Sequence, residues 1–231
     1  YLTDKSGRVI GIATGDMGID KEGNHKGTYT PGMDILAKQT IFAEGARGHL
    51  GKKLIKAFNL DEGKTPQHFA IGFKEVWEVD NDKHSPGDVV HTMGWPLKGG
   101  TSGGGFLYHF DNNRIAVGLI VDLNYSNPSH SPFQEFQQFK QHPSIKQYLE
   151  SGKRVSYGAR AITKGGINSL VKMEFDGGMI VGCDAGTLNP SKIKGSHCAL
   201  QSGILAAEYI NNVLSEENCD FDDLFKSSAL F

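Results

Sequence analysis

The sequence predicts a mixed α/β fold, and three observations point to it. Near Thr40 and again near Gly178 an apolar strand runs into a glycine-rich turn and then a helix. Between them lies a long block that alternates apolar and polar residues as antiparallel strands do. After that block come helical segments with Ser and Pro at their starts.

In chain order, "RVIGIAT" reads as a strand and "QTIFAEG" as a second that ends at a glycine turn. "RGHLGKKLIKAFNL" then places Leu50, Leu54, Ile55 and Phe58 at helical spacing. From Thr65 to Tyr125 the runs "HFAIGFKEVWEV", "DVVHTMGWPL", "GFLYHF" and "RIAVGLIVDL" are divided by Asp, Asn, Gly and Pro turns, which predicts an antiparallel sheet. "SPFQEFQQFKQHPSIKQYLESG" offers Ser131 as N-cap and Pro132 at the first helical position, and Pro143 breaks it into two short helices. More strand-like sequence leads to a long helix, roughly Lys194 to Leu214. No internal repeat, low-complexity segment or obvious linker divides the chain.

Composition narrows the function classes. The 231 residues carry a formal net charge of -2 with no basic block or stripe, which removes the reason to expect nucleic acid. Cys183, Cys198 and Cys219 are odd in number and show no metal-ligand spacing, so reduced thiols are expected rather than a disulfide framework or a zinc site. No apolar run approaches the roughly 20 residues of a membrane span. The chain starts at Tyr1 without an initiator Met or signal peptide and reads as a piece of a longer polypeptide. The 30 glycines, many paired at turns, favour a site built from loops.

Chemistry concentrates in "GGMIVGCDAGTLNPSKIKGSHCALQSGILAAEYI", Gly177 to Ile210. An apolar strand delivers a Gly, an acid and another Gly at its carboxyl end, where ligands gather in α/β folds. The helix that begins near Gly195 and Ser196 carries unpaired amides and about half a positive charge, suited to a phosphate or to electron density on a cofactor ring. Asp184 is placed to hold a ribityl or ribose hydroxyl. An ordinary strand-to-helix connection accounts for the same stretch equally well by itself.

Other patterns fall away. "GHLGK" lacks the first-glycine spacing and the Ser/Thr of a phosphate-binding loop, so a nucleotide triphosphatase is rejected. No HExxH occurs, and the GxSxG match at Gly100–Gly104 lies between two strand-like runs rather than on a strand-to-helix turn, which leaves hydrolase and metalloenzyme readings unsupported. His91, His109 and His197 read as structural histidines, Phe133, Phe136 and Phe139 as packing, and Cys198 as a small packing residue.

Taken in order, "TIFAEGARGHLGKKL", "HTMGWPL", "GGFLYHF", "SPFQEFQQFKQHPSIK", "GKRVSYGARAI" and "GCDAGTLNPSKIKGSHCALQSGILAAE" resemble the central part of the electron transfer flavoprotein-ubiquinone oxidoreductase family. The resemblance covers nearly the whole chain. It implies part of a glutathione-reductase-like FAD domain, segments 1–60 and 161–231, with an inserted antiparallel-sheet and helix domain for ubiquinone at 61–160. It implies that Ala43, Glu44, Gly45, Gly182, Asp184, Gly186, Asn189, Gly195 and Ser196 line FAD, with Asp184 on the ribityl-pyrophosphate side and the Gly195 helix aimed at the flavin ring. It places Gly103 and Gly104 in a loop against a ubiquinone carbonyl, with Trp95, Pro96, Leu97, Phe106 and Leu107 along a route for the isoprenoid tail. Neither the GxGxxG phosphate fingerprint nor four cluster cysteines occur in the chain, so the [4Fe-4S] centre that the family carries has no ligands here.

The activity implied is electron transfer from reduced electron transfer flavoprotein through FAD to membrane ubiquinone. It implies peripheral attachment to the inner membrane, on the mitochondrial matrix or bacterial cytoplasmic face. Such chemistry needs a flavin, an apolar slot and hydrogen-bond donors rather than a nucleophile, and no catalytic triad is expected. Two alternatives are carried: a related flavoprotein acting on a large apolar substrate, of the geranylgeranyl-reductase or hydroxylase kind, and a non-catalytic lipid- or protein-binding module.

Overall fold

A computed structural model describes residues 1–192 and 194–215, and the chain divides into two compact units. The first is formed by Tyr1–Pro66 with the segment that starts at Gly165, the second by Gln67–Lys164. Cys219 lies outside the described residues.

In the first unit, β1 (Leu2–Thr3), β2 (Val9–Ala13) and β5 (Asp34–Leu36) make one small antiparallel sheet. β3 (Met17–Ile19) and β4 (His25–Thr30) form a separate hairpin. Its turn is built on Asp20, whose Oδ1 accepts hydrogen bonds from the amides of Glu22 at 3.0 Å and Asn24 at 2.7 Å. A second sheet joins the two ends of the unit: β13 (Gly178–Ile180) lies between β12 (Glu174–Phe175), to which it is antiparallel, and β6 (Thr40–Phe42), to which it is parallel. Helices α1 (His49–Ala57) and α4 (Ser196–Leu214) each contribute one apolar stripe. In α4 the buried positions are Cys198, Ser202, Leu205 and Ala206, one face at helical spacing. With Val9, Phe42, Leu54, Met179 and Ile180, the two α4 residues Leu205 and Ala206 close the core of this unit.

The second unit is a fully antiparallel sheet of β7 (Phe69–Glu78), β8 (Val89–Met93), β9 (Gly103–Phe110), β10 (Arg114–Asp122) and β11 (Lys153–Thr163), in the order β11-β7-β10-β9-β8. α2 (Pro132–Gln141) and α3 (Pro143–Leu149) follow the fourth strand, and α2 packs on β7 and β10. Ser131 Oγ caps α2 by accepting from the Gln134 amide at 3.4 Å, with Pro132 at the start. His142 ends α2 and caps α3, its Nδ1 accepting from the Ser144 amide at 3.3 Å. Phe136 and Phe139 are buried with Val117, Leu119 and Leu107, whereas Phe133 is half exposed and reaches only the edge of the Phe73 ring.

One polar group is sealed within this unit. Glu75, 3% exposed, accepts from Lys140 Nζ at 3.0 and 2.8 Å, from Trp77 Nε1 at 2.9 Å and from Arg154 at 3.1 Å. Burial pushes its carboxyl up, but the hydrogen bonds from Lys140, Trp77 and Arg154 and the Lys140 charge outweigh that and hold it below the usual glutamate range. With a depressed folded-state value, its stabilisation is present above the ordinary glutamate range and is lost as pH falls through the folded value. Lys140→Met leaves the Glu75 charge buried with fewer partners and should cost about 3 kcal/mol in denaturant unfolding, whereas Glu75→Leu with Lys140→Met should cost much less. Equal losses in the single and double variants would show that the pair itself, and not the unpaired charge, sets the cost.

Candidate functional site

The sequence places its cofactor candidates in two stretches some 140 residues apart, and the parallel pair β6–β13 brings them together. Thr40, Ile41 and Phe42 stand opposite Gly178, Met179 and Ile180, so both strands end at the same edge of the sheet. From one end leads Ala43, Glu44 and Gly45, with Gly45 at φ +86°, into α1. From the other lead Gly182, Asp184, Gly186 and Asn189, then Gly195 and Ser196 at the start of α4.

Two carboxylates bind this edge to α1. Glu44 Oε2 accepts from the amides of Leu50 and Gly51, both at 2.8 Å, and so caps α1, whose N-cap Gly48 has no side chain to do so. Asp184 crosses from the second loop and accepts from the amides of Gly48 at 3.2 Å and Glu44 at 3.4 Å. It packs so closely that a Cβ on Gly51 would lie 2.3 Å from Asp184 Oδ1. Burial, together with the Glu44 charge, raises the Asp184 carboxyl against the pull of the two amides. A raised carboxyl favours the neutral form in the fold, so its contribution is greatest below the ordinary aspartate range and declines as pH rises through its folded value.

The second loop is held by its own backbone and by a side chain of α4. The Gly182 amide donates to Ser202 Oγ at 3.0 Å and the Gly186 amide to Cys183 O at 3.2 Å. Asn189 and Lys194 exchange backbone hydrogen bonds at 2.9 and 3.2 Å, returning the chain to α4. α4 starts at Gly195, which offers no capping side chain, and no acid stands in its first turn. Its amino end therefore keeps its partial positive charge. Thr187, fully buried in the same loop, has an Oγ1 without a partner among the described residues. No local sequence pattern marks that orphan, or Glu44 as the cap of α1. A polar orphan and an uncapped helix end at the carboxyl edge of two parallel strands fit the phosphate and polyol parts of a dinucleotide cofactor.

The thiols stay apart from this chemistry. Burial pushes Cys183 and Cys198 up, both are free, and Cys198 is fully buried, with its Sγ 3.3 Å from the neighbouring His197 ring. His109 and His91 are engaged too: His109 Nδ1 accepts from the Ser85 amide at 3.1 Å, and His91 bonds the Tyr108 hydroxyl at 2.7 Å.

In the second unit Gly103 and Gly104 are not in a loop. They open strand β9, where Gly104 is paired on both sides, with Met93 and Ile120. A Cβ on Gly103 would lie 2.2 Å from Ile120 O and one on Gly104 2.6 Å from Thr92 O, so the strand pairing itself requires bare backbone here. Phe106 and Tyr108 continue on the face of Gly104, with rings stacked at 4.7 Å. Of the apolar route named with them, Pro96 and Leu107 are buried and Trp95 is exposed.

The mixed α/β fold is shared with solved flavin-dependent enzymes. A flavin-dependent brominase superposes with a TM-score of 0.61 over 86% of this chain and 49% of its own, at 14% identity. A geranylgeranyl bacteriochlorophyll reductase-like protein of Thermoplasma acidophilum gives 0.63 over 84% and 46%, at 18% identity. Residues 69–162 match the family model described as ETF-QO, ubiquinone-binding. The electron transfer flavoprotein-ubiquinone oxidoreductase of Pseudomonas aeruginosa is 59% identical over 100% of this chain and 43% of its own length. The chain belongs to the electron transfer flavoprotein-ubiquinone oxidoreductase family and spans about two-fifths of the length of that relative.

The contact between Gly51 and Asp184 reverses a simple helix expectation. Gly51→Ala should raise helix propensity by about 1 kcal/mol in isolation, yet in the folded chain it should destabilise, because the methyl group drives Asp184 off two amides. Asp184→Ala should cost about 1–3 kcal/mol by leaving those amides unpaired. In the double variant the Gly51→Ala penalty should vanish. Urea unfolding of the three variants measures this, and a Gly51→Ala chain as stable as the parent would contradict the packing.

Proposed function

We propose that this chain is the flavin- and quinone-binding part of an oxidoreductase that takes electrons at FAD from reduced electron transfer flavoprotein and delivers them to ubiquinone at a membrane surface. The observation that carries the reading is the ubiquinone-binding match over residues 69–162, together with strand ends in the first unit that suit a dinucleotide. FAD, when bound, supplies the redox chemistry. Ala43, Glu44, Gly45, Gly182, Gly186 and Asn189 form the backbone edge that the cofactor lies along. Asp184 holds that edge in register and keeps acceptor capacity for a ribityl hydroxyl. Gly195 and Ser196 turn the positive end of α4 toward the flavin, where electron density is stabilised.

In this reading Gly103 and Gly104 approach the quinone ring because no side chain stands between ring and strand. The domain roles follow the two units, FAD with the first and quinone with the second. No described helix is long and apolar enough to cross a membrane, and attachment in this proposal is peripheral, through exposed apolar side chains. The [4Fe-4S] centre, if the complete polypeptide holds one as its family does, takes its ligands from outside this sequence.

Substitution at Gly103 or Gly104 would break the strand pairing, so the quinone contact is best read without mutation. On addition of ubiquinone-0, the amide resonances of Gly103 and Gly104 should shift in NMR spectra of the chain. Shifts confined to other residues would remove the two glycines from the site, and no binding at all would remove the quinone reading. FAD is expected to bind this chain below stoichiometry, because the sequence contains no GxGxxG to hold the pyrophosphate. Full retention of FAD, measured by its absorbance after gel filtration, would show that the strand-end loops suffice.

A further inference from the structure

The segment that joins β7 to β8 is fastened at two places. Near its start, Lys83 Nζ donates to Ser151 Oγ at 2.8 Å, and that hydroxyl donates to Asp80 Oδ2 at 2.5 Å. Near its end the fastening is a histidine. His109, in β9, is 4% exposed, and its Nδ1 accepts from the Ser85 amide at 3.1 Å. The backbone beside it depends on the same residue, which donates its amide to Asp88 O at 2.9 Å and accepts from the Gly87 amide at 3.1 Å. β8 starts at Val89, so the ladder that holds this edge strand begins at the histidine.

The imidazole lies between two other rings. The His84 ring is 5.4 Å away between centroids, and Tyr148 of α3 meets it edge to face at 5.1 Å. His84 Nε2 donates to Phe110 O at 2.8 Å, which fixes where that second imidazole stands. Among the described residues the ionisable groups that face His109 are His84 and Asp88, on the linking segment, and Tyr148, on α3, while β10 sets Ile115 opposite it. Burial and the charge His84 can carry hold the His109 imidazole below the usual histidine range, against the pull of Asp88.

A neutral imidazole accepts at one nitrogen and donates at the other, whereas a protonated one only donates. Protonation therefore turns Nδ1 into a donor and sets its N–H against the Ser85 N–H across the present hydrogen bond. It also places a buried charge beside His84.

We propose that His109 is a proton-operated latch: the neutral ring keeps residues 84–88 and the edge strand β8 in place, and acidification releases them. The sign follows from a depressed folded-state value. The latch contributes in full above the ordinary histidine range, and its contribution is lost as pH falls through the folded value. What opens is one wall of a cavity. β8 lends Val90, Thr92 and Met93 to a lining that encloses about 480 Å3, where Thr92 Oγ1 is buried without a partner among the described residues. Loosening the strand gives that hydroxyl access to water. Met93 also pairs with Gly104, so the strand that loosens runs beside the proposed quinone glycines, although the latch itself does not rest on that reading.

Amide hydrogen exchange of the chain, followed by NMR at about pH 7.5 and about pH 5.5 and corrected for the intrinsic rate at each pH, reads the latch residue by residue. Protection at Ser85, His109 and β8 should fall at least about tenfold on acidification, while β7 and β10 stay within about twofold. His109→Asn keeps an acceptor near the Nδ1 position and takes up no proton, so its protection should not follow pH. His84→Gln keeps a donor for Phe110 O and removes the opposing charge, so release should begin at higher pH than in the parent. Protection at these sites that is independent of pH in the parent, or that falls as far in His109→Asn as in the parent, overturns the latch. Should His109→Asn fail to fold by circular dichroism, His84→Gln decides, and release at an unchanged or lower pH overturns the proposal.

Discussion

The parallel pairing of β6 with β13 is the constraint on which the first unit depends. Three residue pairs, Thr40 to Phe42 against Gly178 to Ile180, join chain segments that the whole second unit separates in sequence. Once they are in register, two strand ends open side by side, and the loops that follow must share one edge. Phe42, Met179 and Ile180 are buried together, and on β6 a slip by one residue would turn Phe42 away from the core and the exposed Ile41 toward it. Loop chemistry at the edge is thus a consequence of how the two strands pack.

Polar closure follows the same logic in both units, with one carboxylate serving several donors. Glu75 satisfies a lysine, an arginine and an indole, while Asp184 and Glu44 between them satisfy four amides around the start of α1. The difference lies in charge. Glu75 faces two cations and is held ionised, whereas burial, with the Glu44 charge, draws Asp184 toward its neutral form against the pull of its two amides. The buried carboxylate of one unit is held by an ion pair and that of the other by backbone amides.

Much of this architecture was legible in the sequence because the second unit obeys simple periodicities. The four runs between His68 and Leu123 became four strands, and Ser131, Pro132 and Pro143 bounded α2 and α3 as their chemistry requires. The β3–β4 hairpin was not legible: its strands are short and exposed, so no alternation marks them. Gly103 and Gly104 read as a loop because glycine carries no side-chain pattern, and only the flanking strands, β8 and β10, reveal that they belong to β9. Both stretches of cofactor candidates were visible as motifs, but their adjacency was not, since register between distant strands is a tertiary property. The contacts of Asp184 with Gly48 and Gly51, and the orphan hydroxyls of Thr92 and Thr187, lay beyond any local signal.

The close approach of Asp184 to Gly51 also bears on how this family can vary. The methyl group missing at position 51 and the carboxylate at position 184 occupy nearly the same space. A drift from glycine to alanine at one position is therefore tolerable only where the other holds a shorter side chain, such as serine. Two residues 133 positions apart (184 minus 51) would then change together across lineages, with the amides at Glu44 and Gly48 turning to water or to a cofactor hydroxyl for a partner. The edge of the sheet would keep its shape while its polar tenant changed, so ligand affinity could diverge among relatives whose backbones superpose.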